Sequence, residues 1–200
     1  MAPNVLVVQG TTDLASRLAS MSSIAAAALR AAGANVDVLD LGTLGLPVMV
    51  YSDGTQSQLA AVQHVRRTAT WADAFILMTP EYHGNMSGAL KNWFDYLYLE
   101  LAGKFAGLMA VTGGGGGDMS ITSVKNSFNW CHGFTLPFHA IARPEDFRDE
   151  ILVAPNVIER VERIAHDVVR YAPVIRGAFE AARQEGRGPT SGVAGLHAKG

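Results

Sequence analysis

Three short segments of the chain combine residues that could bind a ligand. Residues 10–17 read GTTDLASR, a glycine with three hydroxyl groups, which could hold a phosphate through hydroxyls and backbone N–H groups. Residues 80–84 read PEYHG and offer flat side chains that can stack on an aromatic ring. Residues 112–117 read TGGGGG, whose backbone a flat ligand can approach closely because the glycines carry no side chains. Together the segments suit an anionic group joined to a planar ring.

Each of these segments directly follows a short apolar run of strand length. Five apolar runs alternate with helical periodicity, and this alternation predicts an α/β fold. We expect a flavodoxin-like, doubly wound parallel five-stranded sheet of order 2-1-3-4-5, with helices on both faces. The predicted strands are 4–9, 36–41, 75–79, 107–111 and 135–141, and the predicted helices are 14–32, 55–70, 87–101, 119–134 and 157–183. In such a sheet ligands bind at the carboxyl ends of the strands, where all three segments lie.

The C-terminal part of the chain carries less information. Residues 1–185 are predicted to form a single domain, and Pro173 is expected to kink or interrupt its last helix. Pro137 indicates an edge position for the fifth strand. Residues 186–200 are rich in glycine, polar and without periodicity, so we expect a disordered tail.

The composition argues against several classes of protein. A net charge of -2 over 200 residues gives no basic surface for nucleic acid, and no apolar run approaches the ~18 residues of a membrane span. A single cysteine excludes an internal disulfide and favours a reducing compartment. The six histidines show no metal-ligand spacing, so no metal site is expected. These features predict a cytoplasmic protein that binds neither nucleic acid nor membranes.

Simpler interpretations exist for individual motifs. Taken alone, residues 11–13 favour a helix cap over a ligand site, since neither GxGxxG nor GxxxxGK[ST] occurs in the chain. The glycine run 113–117 could be a flexible linker, although its place after a buried strand, with Asp118 able to cap the next helix, favours a binding wall. Cys131 beside His132 is better explained as a core thiol than as a nucleophile.

A longer motif resembles a known family. The segment PEYHG at 80–84, followed by SGALKN at 87–92 and by Asp95, is similar to the pattern PEYNG…PGxLKNxxD. That pattern belongs to the NAD(P)H-dependent FMN reductase family, a flavodoxin-like group of flavin, quinone, azo-dye and chromate reductases. The sequences LAGK at 101–104 and VTGG at 111–114 are also similar, and the resemblance covers roughly residues 4–140.

The resemblance implies an FMN-dependent oxidoreductase. A hydride would pass from NADH or NADPH to flavin N5 and then to a small acceptor such as a quinone, a free flavin or a similar electrophile. No catalytic side chain is implied, because the flavin carries the chemistry. A homodimer or homotetramer through the helix 85–101 is implied as well. The implied cofactor-binding residues are Gly10, Thr11, Ser16, Arg17 and Leu18 for the phosphate, Pro80, Glu81, Tyr82, His83 and Gly84 for the ring and ribityl chain, and Thr112, Gly113, Gly114 and Gly115 for the pyrimidine edge.

The first segment departs from the family pattern G-S-x-R-x-x-S-x-N. Gly10 and Ser16 match, but Asp13 replaces the arginine and Leu18 replaces the asparagine. A carboxylate at that position weakens phosphate binding unless Arg17 supplies the missing cation. The sequence therefore leaves an alternative open, a flavodoxin-like binding or regulatory protein with weak or no FMN binding and no reductase activity. A one-electron carrier fits poorly, because such carriers are usually strongly acidic.

Overall fold

The molecule is built around a five-stranded parallel sheet formed by the apolar runs. The computed structural model describes residues 2–197. The strands are β1 (Asn4–Gln9), β2 (Asn35–Asp40), β3 (Ala74–Pro80), β4 (Phe105–Val111) and β5 (Phe134–Ala142), and they lie in the order β2-β1-β3-β4-β5. All neighbouring pairs are parallel. The predicted topology is confirmed, including the edge position of β5.

Helices cover both faces of this sheet. They are α1 (Leu18–Ala31), α2 (Ala60–Trp71), α3 (Gly88–Asp95), α4 (Asp118–Trp130) and α5 (Pro155–Gln184). One apolar core joins α2, α3 and α4 to one face, and a second core joins α1 and α5 to the other. Every residue of the central strand β3 is buried, as expected for a parallel strand with both faces covered.

The first helix begins later than its apolar periodicity predicts. Residues 14–17, predicted to be helical, instead form a loop, and α1 starts at Leu18. Two side chains hold this loop, since Asp13 accepts a hydrogen bond from the N–H of Ala15 at 3.0 Å and Ser16 accepts one from the N–H of Leu18 at 3.3 Å. Such local bonds compete with helix formation.

The predicted helix 87–101 is two elements. The prediction that Ser87 caps its start is confirmed, because the Ser87 side chain accepts a hydrogen bond from the N–H of Leu90 at 3.0 Å. The helix α3 ends at Asp95, however, and a separate 3-10 turn follows at Leu99–Leu101. The N–H of Tyr98 donates to the Glu100 carboxylate at 2.9 Å. This N–H is therefore not bonded to a carbonyl of the preceding turn, as it would be in a continuous helix.

The predicted helix 55–70 is also divided. A 3-10 turn at Gly54–Gln58 precedes α2, and the Asp53 side chain caps this turn by accepting from the N–H of Thr55. Residue Leu59, with an extended backbone, separates the two elements.

The C-terminal part contains a small hairpin and a long helix that is not interrupted at its proline. The charged segment 143–150 contributes to a small antiparallel hairpin of β6 (Phe147–Arg148) and β7 (Ile151–Leu152). The helix α5 runs without interruption through Pro173, because buried Ala172 and Phe179 hold it to the protein on either side of the proline.

Part of the segment predicted to be a disordered tail is packed against α5. Gly192–His197 form a 3-10 turn in which buried Ala194 contacts the cluster of Ala102 and Phe179. Residues 198–200 of the expected tail lie outside the described residues. Between residues 2 and 197, no helix is long and apolar enough to cross a bilayer.

A buried lysine connects α2 to the start of β4. Lys104 is 7% exposed, and its Nζ donates to the carbonyl oxygens of Ala69 at 2.6 Å and Thr70 at 3.1 Å, in the last turn of α2. Burial, and to a smaller extent the nearby Arg176 charge, lower the pKa of Lys104 to about 8. The side chain therefore satisfies two helix-end carbonyls while its charge is held away from water.

This burial predicts a stability that increases at alkaline pH. The folded-state pKa of about 8 lies below the ordinary value of 10.5, so between these values the unfolded chain binds more protons. The free energy of unfolding of the wild type, relative to Lys104→Met, should rise by about 1–2 kcal/mol between about pH 7 and 9.5. Urea unfolding at both pH values measures this difference. The matched variant is Lys125→Met, at a partly exposed lysine. The free energy of unfolding of the wild type relative to this variant should not rise over the same pH range. An equal rise relative to both variants would contradict the role of burial.

Candidate active site

Three loops lie side by side at the carboxyl edge of the sheet. Loop A (residues 10–17) follows β1, loop B (residues 81–87) follows β3, and loop C (residues 112–117) follows β4. Because β1, β3 and β4 are neighbours in the sheet, the loops adjoin one another. Loop A is bonded to β3 through the N–H of Gly10, and loop B to β4 through the N–H of Glu81. The structure thus brings the predicted site segments together.

Gly10 forms the buried base of loop A. Its N–H donates to the carbonyl of Met78 in β3 at 2.9 Å. A Cβ at this position would lie 2.4 Å from that same oxygen and 2.8 Å from Cβ of Leu90 in α3. The position accepts only glycine, because loop A crosses between the strand and the helix with no space for a side chain.

Ser87 fastens loop A to α3. Its hydroxyl donates to the carbonyl of Gly10 and accepts from the N–H of Leu90, while its own N–H donates to Oγ1 of Thr79 at 2.9 Å. The side chain is 2% exposed. One buried hydroxyl therefore joins loop A, the end of β3 and the start of α3.

Loop A presents backbone donors that no acceptor among the described residues occupies. The N–H groups of Thr12, Leu14 and Arg17 have no partner within residues 2–197. Thr11 is buried, and its hydroxyl accepts from the N–H of Asp13 at 3.1 Å. Free N–H groups directly before a helix favour an anion. Among the predicted donors, however, the N–H of Leu18 is already bonded to Ser16.

The only cation of loop A is engaged elsewhere. The Arg17 guanidinium donates from Nε to Glu150 Oε2 at 2.8 Å and from Nη2 to Oε1 at 3.3 Å. It also lies 5.4 Å from the ring centroid of Phe147, within cation–π range. Glu150 lies 133 residues further along the chain, and sequence reasoning missed it because no local motif marks the contact.

Loop B contains a tight turn. Tyr82 and Asn85 exchange two backbone hydrogen bonds, both 3.0 Å long. The central residues His83 and Gly84 have φ of 53° and 72°, the left-handed region that histidine tolerates better than most side chains. Tyr82 is 52% exposed, whereas Pro80 is buried at the end of β3. Tyr82 and His83 are therefore the exposed flat faces of this loop.

Glu81 supports loop C. Its Oε2 accepts from the N–H of Ser120 in the first turn of α4 at 3.1 Å. A Cβ on Gly115 would lie 2.9 Å from the other carboxylate oxygen, so the carboxylate packs directly beneath the glycine backbone. Glu81 thus connects loops B and C.

The glycine backbone of loop C is open on its outer side. The buried Thr112 hydroxyl accepts from the N–H of Gly115 at 3.1 Å, which shapes the loop. Nothing lies within 4 Å of a Cβ placed on Gly113 or Gly114, so a flat ligand has room against this backbone.

The prediction that Asp118 caps α4 is wrong: Asp118 is the first helical residue and Gly117, with φ of 79°, is the cap. A Cβ on Gly117 would meet Ile141 at 2.6 Å, which explains the glycine.

Nucleophilic and metal chemistry have no support here. Burial raises the pKa of the Cys131 thiol to about 11, which keeps it protonated at neutral pH. No group of three potential metal ligands occurs in the part of the chain that the structure describes. A His139–Asp118 contact of 3.1 Å beside loop C is a further pair that the sequence did not indicate.

The sheet order and the three loops define an α/β protein of the flavodoxin type. Residues 3–147 match the sequence profile of the family described as NADPH-dependent FMN reductase. The chain belongs to this family, and it is an NAD(P)H-dependent oxidoreductase with FMN as its cofactor, as the resemblance of the central motif predicted.

Relatives and solved structures agree with this assignment. An NADPH azoreductase of Bacillus sp. (strain OY1-2) is 32% identical over 152 residues, covering 74% of this chain and 82% of the relative. A probable NADPH:quinone oxidoreductase 2 of Oryza sativa subsp. japonica is 32% identical over 157 residues, covering 72% and 73%. RosB with a bound riboflavin-5'-phosphate derivative superposes with a TM-score of 0.71 at 13% identity, covering 92% of this chain and 88% of RosB. This last likeness shows the shared fold.

The residues present fit FMN. The free N–H groups of Thr12, Leu14 and Arg17 in loop A suit a phosphate, and the open backbone at Gly113 and Gly114 leaves room for a planar ring. The exposed Tyr82 ring offers a face for stacking. Asp13 and the pairing of Arg17 with Glu150 are the two features that oppose the binding of an anion.

Proposed function

We propose that FMN binds across loops A, B and C and that the protein passes reducing equivalents from NADH or NADPH to a small acceptor. The phosphate would lie at loop A and the ring between Tyr82 and loop C. The observation that carries this proposal is that loop A offers free N–H donors and loop C offers a glycine backbone without side chains, at the ends of β1 and β4, which lie on either side of β3.

When bound, FMN would supply the hydride-transfer chemistry that links the nicotinamide to the acceptor. The protein supplies position and electrostatics. Loop A holds the phosphate end through the N–H groups of Thr12, Leu14 and Arg17 and the Thr11 hydroxyl. The N–H of Gly113 would be available to the polar edge of the ring, where negative charge develops on reduction. Tyr82 and His83 would cover the ring and limit the access of water.

The acceptor is proposed to be a quinone, a free flavin or a similar small electrophile. The relatives are an azoreductase and a quinone oxidoreductase by name, which supports an open site for planar electrophiles. A homodimer or homotetramer through residues 85–101 and a cytoplasmic location, where NAD(P)H is available, belong to the same proposal. Trp130 is 80% exposed beside α3, which supports a contact between subunits there.

A second candidate, against which the family assignment argues, is a flavodoxin-like binding or regulatory protein with weak or no FMN binding and no reductase activity. Loop A contains Asp13, and its only cation is neutralised by Glu150, so it offers an incoming dianion no free positive side chain. This candidate predicts neither tight flavin binding nor NAD(P)H oxidation by the flavin-loaded protein.

Titration with FMN and riboflavin, followed by flavin fluorescence, tests the proposal. We expect micromolar or tighter binding of FMN and weaker binding of riboflavin, and NADPH oxidation with a quinone once FMN is bound. Gly114 has a φ of 152°. The Gly114→Ala substitution should weaken the binding of both flavins by about tenfold, because the new Cβ would occupy the backbone surface against which the ring is proposed to lie.

The control is Gly54→Ala, whose Cβ would meet no atom within 4 Å and which belongs to none of the three loops. It should leave both affinities unchanged. Failure of folded wild-type protein to bind either flavin would rule out the reductase mechanism and leave the second candidate. Weakening of FMN alone by Gly114→Ala would contradict the placement of the ring.

A further inference from the structure

The hairpin of β6 and β7 is attached to loop A and α1. Its turn residue Glu150 binds the guanidinium of Arg17 through both carboxylate oxygens. Phe147 in β6 lies under the same guanidinium, and the N–H of Leu152 in β7 donates to the Ser20 hydroxyl of α1 at 2.9 Å. The hairpin and the proposed phosphate loop therefore share one arginine.

The geometry of the turn directs Glu150 towards this arginine. Asp149 and Glu150 have φ of 49° and 63°, so both central residues of the turn are left-handed, a conformation that usually selects asparagine and glycine. Here the turn carries two carboxylates instead. Both border a cleft beside Ser16 and Ser20, but only Glu150 is paired with Arg17.

The pair is accessible enough to be exchanged. The side chain of Arg17 is 32% exposed and that of Glu150 is 57% exposed. Solvent-exposed ion pairs contribute little to folding stability, so another anion can replace the carboxylate. A phosphate dianion carries more charge than a carboxylate and offers three acceptor oxygens, which makes it a strong competitor for a guanidinium.

We propose that Glu150 is a specificity-determining residue for the flavin. By pairing with Arg17, it competes with the phosphate of FMN and lowers the preference of the protein for FMN over unphosphorylated riboflavin. Binding of FMN replaces the two Arg17–Glu150 hydrogen bonds by bonds from Arg17 to the phosphate, whereas binding of riboflavin leaves the pair in place. This inference rests on the proposed function, which puts the phosphate at loop A.

The test compares Glu150→Gln with Asp149→Asn. Each variant removes one negative charge from the same turn, and each keeps the size of its side chain, but only the first frees Arg17. At low ionic strength Glu150→Gln should lower the Kd for FMN about threefold to fivefold more than Asp149→Asn does. The Kd for riboflavin should stay unchanged in both variants. Circular dichroism and thermal unfolding establish that each variant is folded.

Arg17→Gln separates a direct exchange from a general effect of charge. In this background Glu150→Gln and Asp149→Asn should have equal effects on FMN, because no guanidinium remains to be released. Equal effects in the wild-type background, or weaker FMN binding by Glu150→Gln, would overturn the inference. Absence of binding of either flavin in every variant would instead refute the proposed function, and the inference with it.

Discussion

Gly10→Ala is expected to lower the free energy of unfolding by about 2–3 kcal/mol and to weaken FMN binding by at least tenfold. The new methyl group would lie 2.4 Å from the carbonyl oxygen of Met78 and 2.8 Å from Cβ of Leu90, both in buried elements that cannot move independently. Loop A would have to lift away from β3, which displaces the N–H groups of Thr12 and Leu14. Urea unfolding and FMN titration measure the two effects.

Gly88→Ala is the matched control for this substitution. Gly88 is the first residue of α3, and no atom lies within 4 Å of a Cβ placed there. We expect no loss of stability, since alanine favours a helix more than glycine does. A Gly10→Ala variant as stable as the wild type would show that loop A can move without cost, which contradicts the tight contact described above.

Ser87→Ala should cost about 2–3 kcal/mol of folding stability. The substitution removes the cap of α3 and leaves the buried carbonyl of Gly10 without its hydroxyl donor. Because that hydroxyl holds loop A against α3, FMN affinity should fall severalfold, while riboflavin affinity changes less. Thermal or urea unfolding gives the stability, and paired flavin titrations give the effect on the site.

The comparison variant is Ser23→Ala, in which an exposed hydroxyl of α1 loses only a bond to the carbonyl of Ala19. Its stability should equal that of the wild type or exceed it slightly. If Ser87→Ala lost stability but bound FMN normally, Ser87 would serve only the helix, and its bond to Gly10 would be unimportant for loop A.

The fold could be predicted from the sequence because its signals are local. The run 75–79 is wholly apolar and has strand length, and in the structure every residue of β3 is buried. Alternation of such runs with helical periodicity leaves few possible topologies. The N-cap at Ser87 was also predictable, since a serine directly before an apolar helical pattern is a local signal.

The features that were missed depend on contacts between distant residues. The pairing of Arg17 with Glu150 joins residues 133 positions apart, and the turn that carries Glu150 lacks the glycine that marks such turns in a sequence. Similarly, α3 ends before Tyr98 although the apolar periodicity continues to Leu101, because the side chain of Glu100 takes the N–H of Tyr98. Periodicity reports which faces are apolar, and it is insensitive to such side-chain competition.

The burial of Cys131 has a consequence for how the protein responds to oxidants. Reduced flavins react with dioxygen and release hydrogen peroxide, which oxidises thiolates in preference to thiols. Cys131 is 6% exposed and its pKa is raised to about 11, so the only cysteine of the chain resists this oxidant. Met119 is 64% exposed at the start of α4, and its Cβ lies close to Gly84 of loop B, so its side chain is accessible to peroxide from the site. Oxidative damage during turnover should therefore form methionine sulfoxide, a lesion that cellular reductases reverse.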